Sequence, residues 1–408
     1  MRINKMFLMN PELVLMISII IVVSLILKKI DISISLGAGL IIYAIFAVSD
    51  LDKIYTALMR TFDLTLFTAL TSLIQAMFLA DLYRLSGVAD KMVRGLICAG
   101  HNFAGVSIPA IIGLLPMPGG AYISAVLADP VYKDQMFESE AKTFINYWFR
   151  HIWIPIWPLY QNIIIAIGLL GMSVRDILNI NWVITFSSIL SGLIIFIFIK
   201  RFSLKNVSQI IEKRDSCDLK GIYHLWPFIL IAVLNLVMGV YLPLSIFITI
   251  IIFIILYRPD KDVILKALKY AFNLSLIMLI FEVFVFGNMI RVSDIASRLS
   301  NILSGHAFIA TLAVPFVIGF ATAAEFAYVA LAFPPFIDLF HHNLFYLTLA
   351  FLGGYMGVML SPSHACLVLS AKYYETHIVK PFKYIIPAVI LTILLTIGTD
   401  LVIRRFII

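Results

Sequence analysis

The chain has 408 residues, 62% of them hydrophobic and only 13% charged, and a formal net charge of +7. Soluble domains carry about 25% charged residues, so the composition excludes a soluble fold and points to an all-α polytopic membrane protein. The basic excess asks for no nucleic-acid partner, because cytoplasmic loops of membrane proteins collect Lys and Arg. Three scattered cysteines, Cys98, Cys217 and Cys366, give neither a disulfide framework nor a metal-ligand spacing and read as buried thiols.

Apolar runs of spanning length, roughly 17 to 25 residues, predict ten transmembrane helices near 11–27, 33–49, 64–83, 143–170, 181–200, 224–240, 242–257, 270–290, 344–371 and 384–403. The first run has no small-residue cleavage site and is followed by Lys28 and Lys29, so it reads as a retained span. Two further stretches, 99–133 and 304–336, are too long for one helix. They break at Pro116 to Gly120 and around Ala321 to Ala324, and read as re-entrant hairpins. Placing the N-terminus outside puts 20 of the 30 Lys and Arg on the inner side and nine on the outer, with Arg150 inside a span. That asymmetry places both termini outside the cytoplasm and the charged segment 201–222 inside it. The expected location is the plasma (inner) membrane, crossed many times.

The two halves are related. Asp50 to Leu64 aligns with Asp260 to Leu274 at seven of fifteen positions. The match resumes with Gly100-His101 against Gly305-His306, Pro109 to Gly113 against Pro315 to Gly319, and Trp157-Pro158 against Ser361-Pro362. Five spans and one hairpin per half is an odd count of crossings, so the second copy lies inverted with respect to the first. The predicted domains are a first repeat over 1–200, a linker over 201–222 and a second repeat over 223–408.

This pattern resembles the ion transporter superfamily, which includes gluconate permeases, C4-dicarboxylate carriers and divalent anion–sodium symporters. Within it, Leu-Pro-Met-Pro-Gly-Gly-Ala (115–121), Asn-Tyr-Trp-Phe-Arg-His (146–151) and Leu-Ser-Pro-Ser-His-Ala-Cys (360–366) look like a functionally unassigned prokaryotic branch. The resemblance implies a homodimer embedded in lipid, with a fixed scaffold and a moving transport part, working as an elevator. The Ser-Asn-Thr signatures that bind sodium and carboxylate in the dicarboxylate symporters are absent from both hairpin tips. That absence makes H+ the expected coupling ion, with Na+ as the alternative.

On the repeat reading, half-helices begin after Gly120, Pro158, Ala324 and Pro362, and helix starts suit an anion. The substrate-binding set is therefore Pro118, Gly119, Gly120, Ala121, Trp157, Tyr160, Thr322, Ala323, Ala324, Ser361, Ser363 and His364, with Arg150 either contacting substrate or anchoring at the interface. Glu325 is an intramembrane acid, expensive to bury. It reads as the proton-coupling site, a cation ligand or a partner of Arg150, against a plain helix-capping role. His101 and His306 mark hairpin entrances, and Asp81 with Arg84 reads as a local ion pair. No nucleophile set, phosphate loop or metal motif is legible, so neither a cofactor nor a metal is expected. The expected function is transport of a small, organic anionic solute, and an intramembrane enzyme acting on a lipid-linked substrate through Glu325 and His364 is the alternative from another class.

Overall fold

A chain segment in hydrocarbon must satisfy its own backbone groups, and every regular element among the described residues is a helix. The computed structural model describes residues 10–407 except 100, 116–118, 204–218, 296, 297, 300, 301, 303 and 304. In chain order the helices are α1 (Pro11–Leu27), α2 (Ile32–Tyr43), α3 (Leu51–Thr61), α4 (Leu64–Leu85), α5 (Val88–Ala99), α6 (His101–Ile112) and α7 (Gly120–Asp134). Then come α8 (Ser139–His151), α9 (Gln161–Leu170), α10 (Val174–Ser203), α11 (Trp226–Ala232), α12 (Leu242–Tyr257) and α13 (Lys261–Ala271). The last are α14 (Leu274–Val292), α15 (Ala307–Thr322), α16 (Glu325–His342), α17 (Leu344–Leu360), α18 (Ala365–Tyr373) and α19 (Phe382–Ile407).

Among the described residues, six helical stretches are long and apolar enough to cross a membrane, as expected of a polytopic membrane protein. One of these and one shorter apolar helix carry their apolar residues outward at helical spacing: Phe186, Leu190, Ile194 and Ile197 on α10, and Leu244, Phe247, Ile251 and Ile255 on the shorter α12. In water such stripes would be an aggregation hazard, whereas lipid tails cover them at no cost. Two of the ten expected spans are not continuous. The stretch 143–170 stops at His151, turns through 152–160 and restarts as α9; the stretch 344–371 ends at Leu360 and restarts as α18. Pro158 and Pro362 lie in those two gaps, where a residue without a backbone N–H fits.

The two long apolar stretches are each a helix–turn–helix. α6 and α7 are separated by a turn containing Gly119 at φ 73°, and α15 and α16 by Ala323 at φ 56°. The left-handed backbone falls where the breaks were expected; Pro116, Met117 and Pro118 lie outside the described residues. Helices α5, α3 and α13 were not anticipated, because their charged residues hide a helical pattern from a search for apolar runs. Most of the 201–222 segment lies outside the described residues; its end is a 3-10 helix, Leu219–Leu225, whose Gly221 packs backbone-to-backbone on Gly95 of α5. Cys98 is disulfide-bonded, which corrects the expectation of three thiols; Cys366 remains a thiol.

The helices group into two compact units, and each draws on both halves of the sequence. The first comprises Met1–Leu73, Gln161–Ile180 and Phe272–Ser361. Its core gathers Val14 and Leu15 of α1, Tyr43 of α2, Ala57 of α3 and Val285, Phe286, Met289 and Ile290 of α14. α2 and α14 run parallel, since Ser275 donates to Asp31 at one end (2.8 Å) and Tyr43 and Ser293 share a hydrogen bond at the other (2.6 Å). α15 and α17 pack closely because Gly353 and Gly357 of α17 face the carbonyls of Leu312 and Phe316 with no side chain between. The second unit comprises Ile74–Tyr160, Asn181–Ala271 and Pro362–Ile408. Its core is aromatic, with Tyr83, Tyr132, Phe144, Tyr147 and Trp148 fully buried.

Candidate functional site

Within the second unit, α8 is the element on which polar groups concentrate. It starts beside a charged cluster. Lys383 donates to Glu140 (2.9 Å) and Glu138 (3.3 Å), and Asp129 pairs with Lys133 (2.7 Å) and Lys142 (3.4 Å). Twelve residues on, about 18 Å along the axis at 1.5 Å per residue, α8 ends with Arg150 and His151, each 3% exposed. Every residue from Thr143 to His151 is buried, because α6, α7, α18 and α19 all pack on this helix.

A helix enclosed on all sides must satisfy its polar side chains inside the protein. Asn146 donates to the Ala121 carbonyl (2.9 Å) and to Ser370 Oγ (2.8 Å), and accepts from Ser124 Oγ (2.7 Å). One amide thereby ties α8 to α7 and α18. Tyr147 shares a hydrogen bond with His364 Nδ1 (2.8 Å), while the Tyr147 carbonyl accepts from His151 Nδ1 (2.6 Å). The two imidazoles meet edge to face at 4.9 Å between centroids.

The break after α6 leaves carbonyls without helical partners, and the unwound segment after α8 supplies them. Trp153 Nε1 donates to Ala110 O (2.8 Å), Trp157 Nε1 to Leu114 O (2.9 Å) and Tyr160 Oη to Gly113 O (2.7 Å). Trp157 and Tyr160, expected to touch substrate, therefore hold the end of α6. Gly113 lies against the Arg150 carbonyl, and Gly120, the first residue of α7, lies under the Arg150 guanidinium, where a Cβ would collide with Nη2. The charge of Arg150 is thus carried inward to the start of α7 rather than back to the charged end of α8.

Of the expected site residues, the second unit holds Gly119, Gly120, Ala121, Arg150, Trp157, Tyr160, Ser363 and His364. Ala121 is buried, Gly119 half-buried, His364 5% exposed and Ser363 exposed. Pro118 lies outside the described residues. The first unit holds Thr322, Ala323, Ala324, Glu325 and Ser361. There Thr322 donates back to Ile318 O (2.7 Å), Glu325 opens α16 half-buried, and Ser361 ends α17 fully buried. One turn past Glu325, Tyr328 Oη accepts from Asn162 of α9 (3.1 Å). Glu325 and Arg150 therefore belong to different units. Asp81 and Arg84 form the expected local pair, with Arg84 Nε donating at 2.8 Å.

Sequence reasoning passed over Asn146, Tyr147 and Ser370, although the polar run Asn146 to His151 inside an apolar span was a visible signal. It also passed over Glu282, an acid eight residues inside α14. Glu282 accepts from Ser33 Oγ at 2.9 Å and lies against the bare Cα of Gly37. A family profile described as "Protein of unknown function (DUF401)" matches residues 10–403. No curated protein matches the chain.

Proposed function

The chain belongs to the family described as protein of unknown function (DUF401), and we propose that it is a secondary active transporter of a small, organic anionic solute. The observation that carries this reading is Arg150. A guanidinium 3% exposed, laid over the first residue of α7, adds a full positive charge to a helix start that already favours anions. Ionisable groups deep in apolar helix bundles are costly and mark substrate or ion pathways. The distance of about 18 Å from the charged start of α8 is roughly half of a ~30 Å hydrocarbon core, which is the depth at which transporters bind.

The inverted-repeat reading is part of the proposal and is supported by element order. α1–α4 of the first half correspond to α11–α14 of the second, and α6–α10 to α15–α19, with a proline inside α6 and α15 and again inside α7 and α16. The two helix–turn–helix elements are then re-entrant hairpins, both termini are extracytoplasmic, and the protein is an elevator-type homodimer. Resemblance to the ion transporter superfamily supports the same arrangement. Coupling is to protons through Glu325, which opens a half-helix, since the sodium signatures of that superfamily are missing at both tips.

The test is uptake into proteoliposomes of organic acids first identified by ligand-dependent thermal stabilisation. A ligand at a hundredfold excess over Kd stabilises by about 2.7 kcal/mol, enough to detect. The expected result is accumulation that follows an imposed pH gradient, with Glu325→Gln losing that dependence while retaining substrate exchange. Accumulation that follows sodium and ignores pH would replace the coupling ion. A solute altered rather than moved would make the protein an enzyme.

A further inference from the structure

His151, His364 and Cys366 come together in the second unit from positions far apart in sequence, one donor atom from each within 4.8 Å of the others. We infer that these three side chains form a three-coordinate site for a soft monovalent cation, Cu(I). The inference is independent of the anion-transport reading.

The ring chemistry supports ligation. His151 Nδ1 is 2.6 Å from the Tyr147 carbonyl, a contact that places the proton on Nδ1 and the lone pair on Nε2. His364 Nδ1 is held by the Tyr147 hydroxyl at 2.8 Å. Tyr147 thus fixes both imidazoles, as the outer-shell partners of metal-ligating histidines do. Cys366 is the second residue of α18, so its sulfur sits at a helix start, where the free backbone N–H groups suit an anionic ligand atom. Metal–ligand bonds of about 2.0–2.3 Å put donors in a trigonal site roughly 3.5–3.8 Å apart, so closure from 4.8 Å takes about 1 Å of side-chain movement.

Charge selects the occupant. Two neutral imidazoles and one thiolate leave no net charge when Cu(I) binds, whereas Zn(II) would leave a positive charge next to the buried Arg150. Thiolate ligation favours soft ions, Cu(I) and zinc among them, and the charge balance then separates the two. Both histidines are more than nine-tenths buried, which keeps water from competing.

The experiment is a Cu(I) titration of the purified full chain in detergent against a chromophoric Cu(I) chelator, anaerobically with ascorbate as reductant. The expected result is one Cu(I) per chain, lost in Cys366→Ser and His364→Asn, and weakened about 10- to 100-fold in Tyr147→Phe, where only the hydroxyl beside His364 is removed. Thermal unfolding of each variant separates lost ligands from lost fold. Independently of any variant, Cu(I) should slow alkylation of Cys366 in the wild-type chain, read from its peptide by mass spectrometry. Absence of stoichiometric Cu(I), unchanged binding in Cys366→Ser, or alkylation of Cys366 indifferent to Cu(I) would overturn the site. Tighter binding of Zn(II) than of Cu(I) would overturn the occupant.

Discussion

Arg150 lays its guanidinium over the bare Cα of Gly120, so a methyl group at 120 and the charge of Arg150 compete for one volume. The atom in the way is the far end of a flexible side chain. Gly120→Ala should therefore displace the charge without breaking the fold. Expected is a loss of uptake matching that of Arg150→Gln, with little change in thermal unfolding. Wild-type uptake by Gly120→Ala would detach the α7 start from the transport path.

At Gly353 and Gly357 the obstacle is backbone, the carbonyls of Leu312 and Phe316. Neither can move without shifting α15. Gly357→Ala should destabilise by about 1–3 kcal/mol, the usual cost of overpacking, and lower the unfolding temperature in detergent. An unchanged midpoint would mean that α15 and α17 do not pack this closely.

Asn146 is bonded to α7 and α18 together, and all three of its contacts are buried. Asn146→Ala takes the donor from Ser370 Oγ and leaves the Ala121 carbonyl and Ser124 Oγ only their 3.2 Å contact with each other. Buried unsatisfied groups cost about 1–3 kcal/mol. The expected outcome is a corresponding loss of stability by chemical denaturation, larger than that of Ser124→Ala.

At the charged end of α8, burial raises the Glu140 carboxyl, but the hydrogen bond from Lys383, a backbone hydrogen bond and the charges of Lys383 and Lys380 together outweigh it and hold the group below its ordinary value. A depressed carboxyl stabilises the fold at pH values above its unfolded pKa, about 4.3. That stabilisation fades as pH falls through the lower, folded value. Lys383 is half exposed, so the effect is on the order of 0.2–1 kcal/mol. Lys383→Gln should lower stability at neutral pH by that amount, leave it unchanged at the acid end, and so flatten the acid limb of the stability–pH curve below about pH 4.3.

The breaks were legible in the sequence because Pro and Gly state local geometry directly: the left-handed residues Gly119 and Ala323 lie within the anticipated stretches. Helical class followed from composition alone. The site was legible only in part. Arg150, Gly120 and His364 stood out as a charge, a break and a titratable group. Their neighbours did not, because Asn146 meets Ser370 and Tyr147 meets His364 across more than two hundred residues of chain. A pattern read at short range carries no sign of such pairs. α3 and α13 escaped for another reason: on a short amphipathic helix, charged residues dilute the apolar signal that marks a span. Glu282 carried its own signal, an acid within an apolar run, and was outweighed by Glu325 at a break.

The composition of the two units has a consequence for biogenesis. α2 and α3 find their packing partner in α14, which begins about 200 residues downstream of Leu73. At synthesis rates of 5–20 residues per second, those helices wait roughly 10–40 s in the membrane for α14 to emerge. During that interval Ser33, Asp31 and Tyr43 lack the hydrogen-bonding partners Glu282, Ser275 and Ser293. A nascent chain in that state is an exposed client for insertion chaperones and membrane proteases. Neither half of the gene, expressed by itself, encodes a complete unit, so rescue of one half-chain should require the other in the same bilayer.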